Sequence, residues 1–233
     1  VVDGGPARGG RSPREPRRPN EAPDWPMTVA ASHLEFLVEE PSMEAFLRAL
    51  LPGLLPQGRT FEVHPFQGKG DLLAKLEARL RGYASWLPPD WRLVVVVDRD
   101  DDDCHALKQH LEAIATRSGL RTRSSAANAH WQLVNRVAIE ELEAWYFGDW
   151  DAVRQIYPRT PANLPSRQGF RDPDAITGGT WEALERVLQR HGYVPGGLRK
   201  IDSARAMGAV LDPYRSRSAS FRAFHQAVIE AVA

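Results

Sequence analysis

Five carboxylates crowd into six positions of the run Asp98-Arg99-Asp100-Asp101-Asp102-Asp103. Charges at that density repel one another unless cations or solvent screen them. Hard oxygen donors of this kind suit Mg²⁺ or Mn²⁺. The same run also reads as a solvated acidic loop that caps a following helix at its positive end, the role assigned to Asp102 and Asp103. Asp98 and Asp100 differ, because they follow Leu93-Val94-Val95-Val96-Val97, an apolar run of the kind that fills a central parallel strand. Glu39 after Val38 and Glu140 after Ile139 stand at similar junctions. Polar groups at the carboxyl ends of parallel strands line the crevice where open α/β sheets bind ligands. Asp98 and Asp100 are therefore candidate metal ligands, and Glu39 and Glu140 stand where such a crevice would be lined. Glu140 and Glu143, three apart in a helical pattern, would share one helix face, which on spacing alone reads equally well as an ordinary exposed face.

Competing motifs fail on spacing. A calcium loop of the EF-hand type starting at Asp98 needs Gly sixth and Glu twelfth, where the chain has Asp103 and Gln109. Around Gly68-Lys69-Gly70 a phosphate loop needs Gly at the place of Val63 and Ser or Thr at the place of Gly70. There is no Gly-x-Ser-x-Gly nucleophile elbow. His64, His105, His110, His130, His191 and His225 lack metal-ligand spacing. The chain has only four Lys among its 30 basic residues, so Lys69 and Lys200 stand out as candidate contacts to a phosphate, together with Arg217. For each of these three, plain surface charge is the simpler alternative. Trp145, Tyr146 and Phe147 read as helix packing before they read as a base-stacking platform. Arg215 and Arg217, alternating with Ser216 and Ser218, fit a phosphate track or the loop before the last helix equally well.

These residues must be positioned by regular elements. His33 to Val38, Thr60 to His64, Leu93 to Val97 and Gln132 to Ile139 read as strands. Helices are expected through Met43–Leu51, closed by Pro52-Gly53, through Leu72–Tyr83, through Leu107–Ile114 with Gly119 after its end, and from Glu140 to Trp145. This alternation predicts a parallel α/β sheet with right-handed crossovers. Residues 157–179 read as a long loop, and helices are expected around Trp181–Leu188, over 198–211 and over 219–232. The resulting organisation is a disordered segment over 1–30, an α/β domain over 31–150 and a mostly helical C-terminal extension over 151–233 packed on it. The first 26 residues hold six Pro and four Gly and too little apolar surface to offset their ordering entropy.

Composition narrows the class. The chain has 233 residues, 42% hydrophobic and 26% charged, the values of an ordinary water-soluble globular protein. No run of about 18 apolar residues occurs, which argues against a membrane span. A single Cys104 cannot pair within the chain, which fits a reducing, cytoplasmic setting. The net charge of zero divides unevenly: 13 basic against 18 acidic side chains over 27–150, and 12 against 8 over 151–233. That split suits a cation in one half and a polyanion in the other, although ordinary surface scatter explains it too.

A strand ending in Glu, then a helix, then a later strand ending in Asp-x-Asp resembles the Toprim domain of topoisomerases, primases and OLD-family nucleases. The matching residues are Glu39, Asp98 and Asp100, with Glu40 where Toprim proteins often have Gly. Longer stretches sharpen the resemblance: Val38-Glu39-Glu40-Pro41-Ser42-Met43-Glu44, His64 to Leu73, Val97 to Cys104, Ile139 to Trp145, Asp212-Pro213 and Arg217-Ser218-Ala219-Ser220-Phe221. Over roughly residues 33–230 the chain is similar to a Toprim-like bacterial family, domain of unknown function 4276. The resemblance implies a Toprim-like, Rossmann-like fold and a Mg²⁺- or Mn²⁺-dependent nuclease or phosphotransferase acting on nucleic acid phosphodiesters. Within it, Glu39, Asp98, Asp100 and Lys200 would be catalytic, with Asp98 and Asp100 holding the metal, Glu39 a further ligand or the base that takes a proton from water, Glu140 and Glu143 completing a second metal position, and Lys69 and Arg217 binding substrate. By fold-level analogy with OLD-type nucleases it also implies a partner ATPase and a role in phage defence. A catalytically weak regulatory or partner-binding module and a small-molecule phosphatase are the alternatives.

Overall fold

A computed structural model gives the fold and describes residues 29–126 and 130–233. The segment expected to be disordered lies, up to residue 28, outside the described residues. Among the described residues four strands form one sheet: β1 (His33–Val38), β2 (Thr60–Pro65), β3 (Trp91–Asp98) and β4 (Leu133–Ala138). All neighbours are parallel and the order is β2-β1-β3-β4, so the expected parallel α/β sheet is present.

Alternation along the central strands explains why helices cover both faces. Leu34, Phe36 and Val38 of β1 and Val94 and Val96 of β3 point to one side, into a core shared with α1 (Pro41–Leu54). Leu37, Leu93, Val95 and Val97 point to the other side. There they meet α2 (Lys69–Ala84) and α3 (Cys104–Arg117) through Leu72, Leu76, Leu80, Leu107, Leu111 and Ile114. Strands buried on both faces read as continuous apolar runs, which is why the Leu93–Val97 run was legible.

From β1 the chain passes through α1 to β2 at one edge, and from β3 it passes through α3 to β4 at the other. The loops after β1 and β3 therefore leave the sheet toward opposite faces. The crevice between them is the topological switch point where such sheets bind ligands.

The remaining helices are α4 (Leu142–Gly148), α5 (Trp150–Ile156), α6 (Thr180–Arg190), α7 (Lys200–Val210) and α8 (Ala219–Val232). They fill out the α1 side of the sheet in one continuous apolar cluster that includes Trp145, Phe221, Phe224 and Val228. At the crossing of α7 over α1, a Cβ on Gly208 would lie 2.3 Å from the Phe46 carbonyl oxygen, so only glycine allows the approach. Residues 157–179 form the expected loop, tightened by two 3₁₀ turns at Leu164–Ser166 and Pro173–Ala175. Asp174 in the second turn accepts bonds from Ser218 Oγ (2.6 Å) and from the backbone N–H of Ser220 (2.7 Å), which anchors the loop to the start of α8.

Three details differ from expectation. The first helix continues past Pro52-Gly53 to Leu54, because Pro52 falls in its last turn, where its missing N–H removes a single helical bond. A short helix, α5, stands where no periodicity announced one. The helix after β4 starts at Leu142 with Glu141 as its N-cap, so Glu140 precedes it and does not share a helix face with Glu143. Among the described residues no helix is long and apolar enough to cross a membrane.

Candidate functional site

Three chain segments meet at the switch point. β1 delivers Glu39 and Glu40, β3 delivers Asp98 and Asp100, and α4 delivers Glu143. Glu39 and Asp98 are adjacent: a Glu39 side-chain oxygen accepts the backbone N–H of Asp98 at 3.1 Å. Asp98 closes a strand buried on both faces and keeps only 7% of its surface. Its Oδ1 is buried and has no hydrogen-bond partner among the described residues. Asp100 follows with φ of 48°, a left-handed conformation that Asp tolerates better than most residues, and its N–H bonds the Glu140 carbonyl at 2.9 Å. Glu40 stands in extended backbone as the N-cap of α1 and accepts a hydrogen bond from Ser42, so this turn needs no glycine.

The electrostatics follow from this crowding. Burial pushes Asp98 well above the usual carboxylate range, and Glu39, Glu143, Glu40 and Asp100 push it further. Glu39 is raised to about 7, chiefly by burial; the Asp98 N–H and Lys69 hold it down while Asp100 and Glu40 add to the rise. Burial also lifts Glu143 to about 7, with Lys200 opposing and Glu141 and Glu40 assisting. Glu39, Asp98 and Glu143 thus resist ionising in this setting.

Two lysines answer that charge from opposite sides. Gly68, at φ of 97°, turns the chain into α2 and sets Lys69 at its start. The Lys69 ammonium lies 2.8 Å from Asp100 and 2.8 Å from Asp102, and donates to the Arg99 carbonyl at 2.9 Å. Lys200, first residue of α7, lies 4.9 Å from the centre of the Trp181 ring. Burial works against the Lys200 charge, but Glu143, Glu40, Glu141 and Asp98 together raise its pKa.

The sequence candidates separate accordingly. Glu39, Asp98, Asp100, Glu143, Lys69 and Lys200 belong to one mutually interacting group. Glu140 lies beside it; its Oε2 is buried and unpartnered, burial and then Glu141 raise its pKa, and Arg99 opposes the rise. Arg217 enters none of the group's hydrogen bonds: its guanidinium donates to the Arg171 carbonyl at 3.1 Å. Arg215 is likewise spent on the fold, 2.9 Å from the buried Asp149. Asp103 caps α3 through the Ala106 N–H at 2.7 Å, the role read for it in the sequence. Glu141, neighbour of two candidates, instead caps α6 through the Trp181 N–H at 2.9 Å.

One group was not foreseen. The Tyr146 hydroxyl is fully buried with no hydrogen-bond partner among the described residues, where Glu143, Asp98 and Glu40 act on it. Its place three residues after Glu143 puts both on one helix face, and that spacing was the available signal.

Among the described residues no three His, Cys, Asp or Glu side chains stand ready-made as a metal-binding group. Glu39 and Asp98 touch, whereas Asp100 is held by Lys69. The donor set nevertheless suits a hard divalent cation: the donors are all oxygen, they destabilise one another's charge, and two buried carboxylate oxygens lack partners.

Nothing among curated proteins or solved structures matches the chain. The profile described as Domain of unknown function (DUF4276) matches residues 38–229, which run from the end of β1 into the last turns of α8 and contain all the carboxylates above. The chain therefore belongs to the DUF4276 family.

Proposed function

We propose that the protein is a divalent-cation-dependent phosphodiesterase of Toprim type that cuts nucleic acid at the junction of β1 and β3. The observation that carries this reading is Asp98, a carboxylate withdrawn from water with one oxygen unpartnered among the described residues, whose backbone N–H is bound by a second carboxylate, Glu39. Burying such a pair costs several kcal/mol in the absence of a counter-charge, of order 2–7 for even a neutral polar group. Structural economy alone gives no reason to place it at the ligand crevice of the sheet.

Asp98, Asp100 and Glu39 would hold Mg²⁺ or Mn²⁺, with Glu143 and Glu140 placed to complete the set. A cation there supplies charge neutralisation at the phosphate and a water of lowered pKa. The chain's own residues do the rest. Glu39, whose pKa burial raises to about 7 while it is unligated, would accept the proton from the attacking water only where it does not itself ligate the cation. Lys69, exchanged from Asp100 to a phosphate oxygen, and Lys200, on the opposite wall, orient the substrate and offset its charge. The expectation of an ATPase partner and a role in phage defence rests on the resemblance to OLD-type nucleases alone.

The ion pairs of Lys69 with Asp100 and Asp102 favour a second reading, a catalytically weak regulatory or partner-binding module whose acidic site is neutralised from within. One experiment separates the two. Purified protein is incubated with plasmid and single-stranded DNA in Mg²⁺ or Mn²⁺ beside the Asp98→Ala variant. The phosphodiesterase reading predicts cutting by the wild type and at least a ~100-fold loss in the variant. Equal cutting by both removes the catalytic assignment of Asp98, and cutting by neither supports the second reading.

A further inference from the structure

α2 leads directly away from the carboxylate group, since Lys69 at its start touches Asp100. From there Asp71, Lys75, Arg79 and Tyr83 recur every fourth residue and form one stripe, and Trp86 follows just past the helix end. This stripe borders β2, an edge strand of the sheet. Between the two runs a groove of about 540 Å³, lined by His64, Phe66, Gln67, Lys75 and Arg79, with Asp71 as its one acid.

The groove carries cations and a built imidazole. Lys75 is 63% exposed and paired with Asp71, a surface ion pair of the kind that exchanges readily for a phosphate. Arg79 lies 5.5 Å from the centre of the Tyr83 ring. His64 is fixed by Glu35 at 2.5 Å, and buried Glu35 is itself held by the Tyr83 hydroxyl at 3.0 Å.

Past the groove the surface turns aromatic. Trp86 is 54% exposed, among the largest apolar side chains left in water. It is braced by Tyr83 at 5.3 Å and by Trp91 at 5.7 Å, and Trp91 by His33 at 4.0 Å, so its ring is presented on a rigid base. A cationic groove that ends in a supported, exposed indole is the combination that holds single-stranded nucleic acid: phosphates follow the cations and a base stacks on the ring.

We propose that the α2–β2 groove is a binding track for single-stranded nucleic acid, with Lys75 and Arg79 on its phosphates and Trp86 as a base-stacking platform. The proposal rests on the phosphodiesterase reading for its direction only: the strand enters at Trp86 and leads to Lys69 and the carboxylates. Sixteen residues of helix give the track a length of about 24 Å.

The test is fluorescence anisotropy of a 5′-labelled oligothymidine about 20 nucleotides long. The metal-free protein is used, so that cutting does not enter. Wild type is predicted to bind, with an affinity that falls as salt rises. Trp86→Ala is predicted to bind about 5- to 100-fold more weakly, Trp86→Phe to keep most of the affinity, and Arg79→Gln to weaken binding with a shallower salt dependence. No binding by wild type, unchanged binding by Trp86→Ala, or equal binding of a duplex of the same length overturns the track. Binding lost at Trp86 in a protein that cuts nothing leaves the track standing and removes the phosphodiesterase. Cutting with no effect of Trp86 on binding does the reverse.

Discussion

At the scale of single residues, the account depends on carboxylates that resist losing their protons. Glu143 is almost fully buried and holds its proton to about pH 7, against an ordinary value of 4.5. Between those values the folded chain binds more protons than the unfolded one, so the stability of the metal-free protein falls as pH rises from about 4.5 to 7. Glu143 alone contributes on the order of 3 kcal/mol to that fall, with Asp98 and Glu39 acting in the same direction. Thermal unfolding in chelator should therefore give a lower midpoint at pH 8 than at pH 5.5, and added Mg²⁺ should raise the midpoint more at pH 8. A midpoint that rises with pH in chelator would show these groups are already compensated. The individual residues were partly legible in the sequence. Glu39, Asp98 and Asp100 stood out because each follows an apolar run, whereas Tyr146 was hidden inside a Trp-Tyr-Phe triplet that reads as core. The pairing of Lys69 with Asp100 joins residues 31 apart in the sequence, and no local pattern encodes it.

At the scale of elements, two joints hold the carboxyl-terminal helices over the site. The first is the crossing of α7 on α1, which presents Lys200. Gly208→Ala would drive a methyl into the Phe46 carbonyl and cost about 2–3 kcal/mol in denaturant unfolding, because neither helix can retreat from a close-packed contact. The second is Asp174, which fastens the 157–179 loop to Ser218 and Ser220 at the start of α8. Asp174→Ala removes charge-assisted bonds of 2.6 and 2.7 Å and should cost about 2 kcal/mol, measured in the same way. An unchanged unfolding midpoint in either variant would contradict the packing described here. The strands and long helices announced themselves by period, and the Val run by its length. α5 did not, because its seven residues make too few turns to establish a period and it is set by Asp149, whose partners Asp212 and Arg215 lie more than 60 positions away. Glu140 was misplaced by two positions for a related reason. Glu141 looks like a helical residue in sequence, yet it is spent on capping α6, a partner 40 residues on.

At the scale of the whole molecule, the order β2-β1-β3-β4 brings the ends of β1 and β3 side by side and sends their loops to opposite faces. The sequence shows that three strands end in acids, but strand order is a tertiary property. Leu34, Val94 and Val134 look alike until the sheet sets β3 between β1 and β4. The chain's zero net charge conceals the outcome, an acidic crevice flanked by two of the protein's four lysines and bordered by a cationic, aromatic groove along α2. The central claim is that this crevice binds a divalent cation through Asp98. Titrating the metal-free protein with Mn²⁺ and following the free ion by electron paramagnetic resonance measures this directly, with the isosteric variant Asp98→Asn beside the wild type. The account predicts saturable binding by the wild type that the variant loses. Binding of equal strength by both proteins, or none by the wild type, would contradict it.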